Sequence, residues 1–251
     1  MNPVVSFIVA THHRPNHLAR AIASLSILGP LVEVIVVADE GSNESRNVAA
    51  EKLRATDTFV SRPGMRGPAE SRNIGVGFAR GDWICFLDDD DSVAPNYLDL
   101  IRPHLHGGDI IYSNFEKVHD NEDLTFSPKA RMFIGAKSIT GLEIANFIPI
   151  GSFFVPRHIA SSVSFDPHLP AFEDWDYLLQ LRRQSAFRHV KIRGFRYHQS
   201  GGPSRNKASR RDRCIDFLSI YHRHPASSEE IERGRREKLD KIDYLNSLRW
   251  D

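Results

Sequence analysis

The stretch AESRNIGVGFARGDWICFLDDDD, residues 69–91, contains the two patterns that decide the fold. Residues 67–81 read as a helix, and the apolar run at 82–87 reads as a strand that leads directly into four consecutive aspartates. Four carboxylates at one strand end repel each other, so the chain needs a counter-charge at this point. The nature of that counter-charge is the main functional question that the sequence raises.

Strand and helix patterns alternate through the first half of the chain. Continuous β-branched runs at 4–10 and 32–38 predict strands that are buried on both faces, and 58–61 predicts a third strand. A helix with Pro15 in its first turn follows the first strand, and residues 46–55 form the next helical pattern. This alternation predicts an α/β fold with a doubly wound, mostly parallel sheet and flanking helices. Ligands bind beyond the carboxyl ends of such strands, where ATHH, ADEGS and LDDDD lie.

The second half of the chain is less regular. Its patterns predict a strand at 109–118, a loop or hairpin at 120–135, a short strand within 148–157, a helix at 172–184, short strands at 188–192 and 194–199, and two helices after Ser209. The last helix is strongly charged, with acids in its first turn. We therefore expect a main domain over residues 1–205 and a helical C-terminal appendage over 206–251.

The composition excludes several classes of protein. The formal net charge of +1 at pH 7 provides no bulk positive field for a nucleic-acid partner. Two cysteines, Cys85 and Cys214, are too few for a disulfide scaffold or a zinc cluster. The N-terminus lacks the features of a signal peptide, and no apolar run reaches the roughly 18 residues of a membrane span. We expect a cytoplasmic protein without a transmembrane segment.

The aspartate row indicates a metal site. Carboxylates are hard oxygen ligands, and several of them at one strand end can bind Mg²⁺ or Mn²⁺. A metal in this position can bridge a diphosphate and offset the charge on a leaving phosphate. The alternative is a solvated turn in which Asp91 or Ser92 caps the following helix. That alternative explains one acid and leaves the other three without a role, so the metal site is favoured.

Four stretches resemble, in order and spacing, the family 2 glycosyltransferases of the GT-A fold, over about residues 4–200. These stretches are VSFIVATHHRPNHLARAIASL, VIVVADEGSNES, AESRNIGVGFARGDWICFLDDDD and FEDWDYLLQL. The resemblance implies a nucleotide-sugar-binding half at 1–115 and an acceptor half at 116–205. It further implies a metal-dependent inverting transfer of a sugar from a nucleoside-diphosphate sugar, by default a UDP-sugar, to a hydroxyl acceptor.

The resemblance places a D-x-D element for the metal and the donor within the aspartate row. Asp90 matches the direct metal ligand, Asp88 lies nearer the ribose or the sugar of the donor, and Asp89 belongs to the same donor-binding element. Asp91 stays a candidate because a run of four acids leaves the register open by one residue. The implied counter-charge is therefore a divalent ion shared with the donor's phosphates.

Four further donor contacts are implied by the same resemblance. Thr11 and Arg14 follow strand one as nucleotide contacts, and Asp39 ends strand two as the acid that accepts from the nucleobase. Arg72 matches an arginine that approaches the donor phosphates or base. A solvent-facing position on its helix is the alternative for Arg72. The family's usual tyrosine after the threonine is replaced here by His12, which reads as a polar turn residue.

The catalytic carboxylates are implied at the start of the helix in FEDWDY. Asp174 corresponds to the base that deprotonates the acceptor, and Glu173 beside it to an acceptor contact. Acids in a helix's first turn are also favoured by the helix dipole alone, which is the alternative. His198 corresponds to a histidine that completes the metal shell in some relatives, and an ordinary exposed histidine is the alternative. Arg205, in the loop that follows, could reach a phosphate.

Two other functions stay open on the sequence alone. A sugar-phosphate nucleotidyltransferase would carry a Gly-rich basic loop after strand one, where THHRPNHL has no glycine. A non-catalytic nucleotide-sugar-binding protein would keep the donor site without turnover. For the transferase, the expected partners are a nucleoside-diphosphate sugar and a carbohydrate or lipid-linked acceptor, in surface polysaccharide or lipopolysaccharide synthesis. The basic C-terminal helix adds peripheral contact with the inner face of the membrane as an option, although a solvated face is favoured.

Overall fold

The computed structural model describes residues 3–39, 42–64, 67–121, 123–134, 138–199 and 210–241. Nine strands are present there: β1 (Val5–Thr11), β2 (Val32–Asp39), β3 (Thr58–Arg62), β4 (Trp83–Asp88), β5 (Ser92–Val93), β6 (Ile110–Asp120), β7 (Phe126–Ile134), β8 (Phe153–Pro156) and β9 (Phe187–Gln199). The α-helices are α1 (Pro15–Ser26), α2 (Asn43–Lys52), α3 (Gly67–Phe78), α4 (Tyr97–Ile101), α5 (Arg157–Ala160), α6 (Glu173–Gln184), α7 (Arg210–Arg223) and α8 (Glu229–Asp240). Short 3₁₀ helices span Arg102–His104, Ile139–Glu143 and Ile150–Ser152.

The strands form one mixed sheet whose first half is parallel. The strand order is β3-β2-β1-β4-β8-β6-β9-β5, and β7 pairs with β6. Strands β1, β2, β3 and β4 are parallel, with Ala10 of β1 opposite Asp88 of β4 and Thr11 opposite Ala38 of β2. The predicted α/β fold with a largely parallel central sheet is confirmed. Its polar strand ends therefore lie along one edge.

Both faces of the central sheet are covered, as the continuous apolar strands predict. Because neighbouring side chains of a strand point to opposite faces, Phe7 packs in the cluster under α1 and Ile8 in the cluster under α3 and α6. Helix α3 crosses β1 at Gly75, where an added Cβ would lie 2.3 Å from Ile8 Cγ2. A side chain at residue 75 would push away the helix that carries Arg72.

In the second half of the chain, the structure departs from one sequence prediction and agrees with another. The prediction of separate strands at 188–192 and 194–199 is wrong, because β9 runs without a break from Phe187 to Gln199. Gly194 allows this continuity, because an added Cβ there would lie 1.9 Å from the Tyr97 ring. With glycine at this position, the extended strand can pass close to that ring. Of the two alternatives expected at 120–135, a loop or a hairpin, the structure has the hairpin, because β7 pairs antiparallel with β6.

The two helices expected after Ser209 are present as α7 and α8, and they pack on the main domain. The Phe217 ring of α7 meets Trp175 of α6 edge-on at a centroid distance of 5.2 Å. Phe217, Ile220 and Leu239 belong to the same core cluster as the sheet's α6 face. The expected boundary at 205 lies outside the described residues. Within the described chain, no helix has the length and apolar character that a membrane span requires.

Candidate functional site

The four aspartates form a tight turn that follows β4. The Asp91 N–H donates to the Asp88 carbonyl at 3.0 Å, and β5 then pairs antiparallel with β9. The turn points the carboxylates in different directions: Asp88 and Asp90 are 36% and 41% exposed, whereas Asp89 and Asp91 are buried. Carboxylate oxygens of Asp88, Asp90 and Asp91 lie within 4.8 Å of one another. These three residues, here called the acidic triad, have the chemistry of a divalent-cation site.

Asp89 is not part of the acidic triad and contacts residues at and just after the end of β1. The Thr11 hydroxyl donates to Asp89 at 2.7 Å, and the Arg14 guanidinium lies 3.0 Å from Asp89 and 2.7 Å from Asp90. Burial raises the pKa of Asp89 to about 6, against the opposing effects of Arg14 and Thr11. The structure thus brings together Thr11, Arg14, Asp89 and Asp90. Direct nucleotide contacts by Thr11, Arg14 and Asp89 stay predictions.

His198 lies beside the acidic triad, with its ring bonded to protein partners. Its main-chain N–H donates to Asp91 at 2.9 Å, and its Nε2 and Nδ1 lie 2.7 Å from Ser92 Oγ and 2.5 Å from Asp120 Oδ1. Burial lowers the pKa of the His198 ring, while Asp120 opposes this shift. A metal-ligand role would require the ring to turn away from these partners, so that assignment stays a prediction. Arg205 lies outside the described residues.

Two residues that the sequence analysis missed support the aspartate turn. Arg20 donates to Asp120 at 2.8 Å and to the main-chain carbonyl of Asp90, which ties α1 to the turn and to the end of β6. Helix periodicity gives no signal for Arg20, because it lies two residues from both Leu18 and Ile22 and therefore on the face of α1 opposite the buried side chains. Asp120 lies in the irregular second half, which offers no such signal either.

Asp39 ends β2 at the same edge of the sheet and is satisfied within the protein. Its carboxylate pairs with Arg62 at 2.9 Å and accepts from the Gly67 N–H at 2.7 Å, while its carbonyl contacts the His12 ring at 2.8 Å. Arg62, at the end of β3, is a third residue that the sequence analysis missed. The expected nucleobase contact of Asp39 stays a prediction.

Arg72 links the acidic triad to the start of α6. Its guanidinium donates to Asp88 at 2.8 Å and to Glu173 at 3.0 Å, and it lies 5.3 Å from the centre of the Phe165 ring. The solvent-facing alternative is wrong, because Arg72 is only 4% exposed. Burial alone would lower the pKa of Arg72, but the two carboxylates raise it above the usual value. Arg72 therefore stays charged between the two acidic groups.

Asp174 is the second residue of α6, and the helix begins directly after Phe172, which adopts a left-handed backbone with φ of 62°. One Asp174 oxygen accepts from the Trp175 N–H at 2.7 Å and the other from the Asn146 amide at 2.9 Å. Burial, and then the Glu173 charge, raise the pKa of Asp174 to about 7 against the effect of Arg72. This carboxyl group can therefore exchange a proton near neutral pH. Asn146 is a further residue that the sequence analysis missed.

Replacing Arg72 with methionine should lower the free energy of unfolding. The substitution keeps the long apolar stem but leaves Asp88 and Glu173 without their buried cation. We expect a loss of about 2 kcal/mol, below the full value for a buried pair because Asp88 is partly exposed. Urea denaturation measures it, with R236M as the control, since Arg236 forms an exposed pair with Glu232 on α8. Equal urea midpoints for the two variants would contradict the bridging role of Arg72.

Two bacterial proteins are similar in sequence to parts of this chain. Succinoglycan biosynthesis protein ExoO of Rhizobium meliloti is 35% identical over 162 residues, which cover 62% of this chain and 45% of that protein. An uncharacterized glycosyltransferase of Haemophilus influenzae is 24% identical over 208 residues, covering 75% of this chain and 65% of that protein. The chain thus spans less than two thirds of the length of either relative.

A solved structure shares the fold at low sequence identity. The crystal structure of S. aureus TarS 1–349 superposes with a TM-score of 0.68 at 15% identity, covering 98% of this chain and 75% of that one. TarS 1–349 has also been solved with UDP and with UDP-GlcNAc, each with a TM-score of 0.64 to this chain. Residues 6–161 match the model of the family described as Glycosyl transferase family 2. With the parallel sheet and its acidic edge, this match shows that the chain belongs to glycosyl transferase family 2.

Proposed function

We propose that this chain is a metal-dependent inverting glycosyltransferase that moves a sugar from a UDP-sugar to a hydroxyl acceptor. The observation that carries the proposal is the Arg72 bridge, which joins Asp88 of the acidic triad to Glu173 beside Asp174. A donor held by the triad and an acceptor at Asp174 would then share one crevice. Family membership and the UDP and UDP-GlcNAc complexes of TarS support the donor class.

The acidic triad fits a hard divalent cation. Asp88, Asp90 and Asp91 offer carboxylate oxygens within 4.8 Å of one another, and Asp88 and Asp90 are open to solvent on one side. These oxygens are the ligand type that Mg²⁺ and Mn²⁺ prefer. When bound, the metal would offset negative charge on the departing nucleoside diphosphate. Arg14 and Arg20 hold the turn in place, through Asp90 and Asp120.

Asp174 is the proposed general base of the transfer. In its charged form it takes the proton of the acceptor hydroxyl as that oxygen attacks the anomeric carbon. Attack from the face opposite the nucleotide inverts the configuration, so an α-linked donor yields a β-linkage. Glu173 is held by Arg72 and stands next to the base, where it would contact the acceptor.

The acceptor is proposed to be a carbohydrate, free or linked to a lipid. ExoO is named as a succinoglycan biosynthesis protein, which supports a role in polysaccharide biosynthesis. A relative from Campylobacter jejuni is named as a glucosyltransferase acting on an undecaprenol-linked saccharide, which favours a lipid-linked acceptor and, with it, peripheral contact with a membrane.

A transfer assay at varied pH tests the proposal. The chain is incubated with UDP-sugars, Mn²⁺ and a panel of saccharide acceptors, and UDP release is measured with EDTA and no-acceptor controls. Because the base must be ionised, the rate should rise with pH through about 7 and fall roughly tenfold per unit below that value. Release that persists in EDTA would contradict the metal requirement. Donor binding without turnover on every acceptor would favour the non-catalytic alternative.

A further inference from the structure

We propose that Asn146 is a positioning residue for Asp174, holding the carboxylate in the orientation that receives the acceptor's proton. The assignment rests on the proposed function, because it requires Asp174 to act as the base. Asn146 lies in the segment between the 3₁₀ helix Ile139–Glu143 and β8, at a position for which the sequence pattern predicts neither helix nor strand.

The hydrogen bonds of Asn146 define which end of its amide faces the base. Its Oδ1 accepts from the main-chain N–H of Ile148 at 2.9 Å, which leaves the Nδ2 group to donate to Asp174 Oδ2 at 2.9 Å. The other Asp174 oxygen accepts from the Trp175 N–H at 2.7 Å. Each carboxylate oxygen is therefore held by one donor and keeps a lone pair for a proton.

The charges around Asp174 give the hydrogen bond from Asn146 to Asp174 an electrostatic role. Glu173 on α6 and Asp88 at the end of β4 disfavour the ionised form, whereas Arg72 on α3 favours it. Burial, then the charges of Asp91, Asp90, Asp88 and Asp174, raise the pKa of the Tyr197 phenol on β9. Arg72 directs its bonds to Asp88 and Glu173. Donation from Asn146 to the carboxylate favours the charged, basic form without adding a charge to the crevice.

The C-terminal helices hold the segment that carries Asn146. The Tyr221 hydroxyl of α7 donates to the Ile144 carbonyl at 2.7 Å, and Arg235 of α8 donates to the Glu143 carbonyl at 2.8 Å. The Ser227 N–H donates to the Glu143 carboxylate at 3.0 Å. These contacts fix the main chain two and three residues before Asn146. Because its backbone is held in this way, the Asn146 side chain can keep the Asp174 carboxylate in one orientation.

Two substitutions separate the parts of the Asn146 side chain. N146D keeps the acceptor for Ile148 and replaces the donor to Asp174 with a like charge, whereas N146L removes both bonds without adding charge. We expect kcat on the alkaline plateau to fall about 10- to 100-fold in both variants, because the base loses its orientation. The acidic limb of the kcat profile should also move up by about one pH unit in N146D. The affinity for UDP and Mn²⁺ should stay within about twofold of the parent.

The controls distinguish this role from folding and from failure of the proposed function. Asn114 is a partly buried asparagine whose side chain bonds His189, and N114L should keep the parent's plateau kcat. Rates are expressed per UDP-binding site, which corrects for any unfolded fraction. Unchanged plateau kcat and acidic limb in N146D and N146L, with D174N inactive, would overturn the Asn146 assignment alone. A D174N variant that retains its rate would overturn the role of Asp174 and that of Asn146 with it.

Discussion

Replacing Asp174 with asparagine should lower the rate of sugar transfer by about 10³-fold, within the range expected for loss of a general base. Asparagine has nearly the same shape and can still accept from the Trp175 N–H, but it cannot take a proton from the acceptor. Affinity for UDP and Mn²⁺ should be retained, because Asp174 makes its described hydrogen bonds to Trp175 and Asn146 and none to the acidic triad.

The matched control for this variant is D99N. Asp99 is also an acid in the first turn of a helix, α4, and it is exposed. If the only role of Asp174 is its favourable interaction with the helix dipole, both variants will lose a similar small amount of stability and both will remain active. Single-turnover transfer kinetics, with donor affinity measured by calorimetry, separate the outcomes. Parallel loss of transfer and donor binding in D174N would contradict its role as a base.

Replacing Asp90 with asparagine should weaken Mn²⁺-dependent UDP binding about 100-fold, or about 2.7 kcal/mol, because the acidic triad loses a charged ligand. Asp90 has the most exposed side chain of the acidic triad, and it shares the Arg14 guanidinium with Asp89. The measurement is the UDP-induced shift in melting temperature across a Mn²⁺ titration. D123N, which changes an exposed acid in the β6–β7 hairpin, is the control and should bind as the parent does. Equal UDP affinity in D90N and D123N would contradict the metal site.

The first half of the fold is readable from the sequence because its signals are local. Continuous β-branched runs specify β1 and β2 as strands buried on both faces, and the amphipathic pattern with Pro15 specifies α1. Parallel strands place their carboxyl ends at one edge, so Thr11, Asp39 and Asp88 could be expected there together. In the structure, these three residues do lie at one edge of the sheet.

The supporting contacts of the site are not readable in this way, because they join distant segments. Arg20 and Asp120 are 100 positions apart, and the bond between them depends on how β6 passes beside α1. Asn146 reaches Asp174 from a segment without periodicity. The burial of Arg72 depends on the crossing of α3 over β1 at Gly75. A helix pattern alone leaves such an arginine equally able to face solvent.

The central claim is that the acidic triad holds a divalent cation together with the diphosphate of a nucleotide. Anomalous diffraction at the manganese edge, from crystals grown with MnCl₂ and UDP, measures this directly. The account predicts one strong anomalous peak in contact with carboxylate oxygens of Asp88, Asp90 or Asp91 and with oxygens of the UDP diphosphate. Ordered UDP in the crevice with no manganese peak at these aspartates would contradict it.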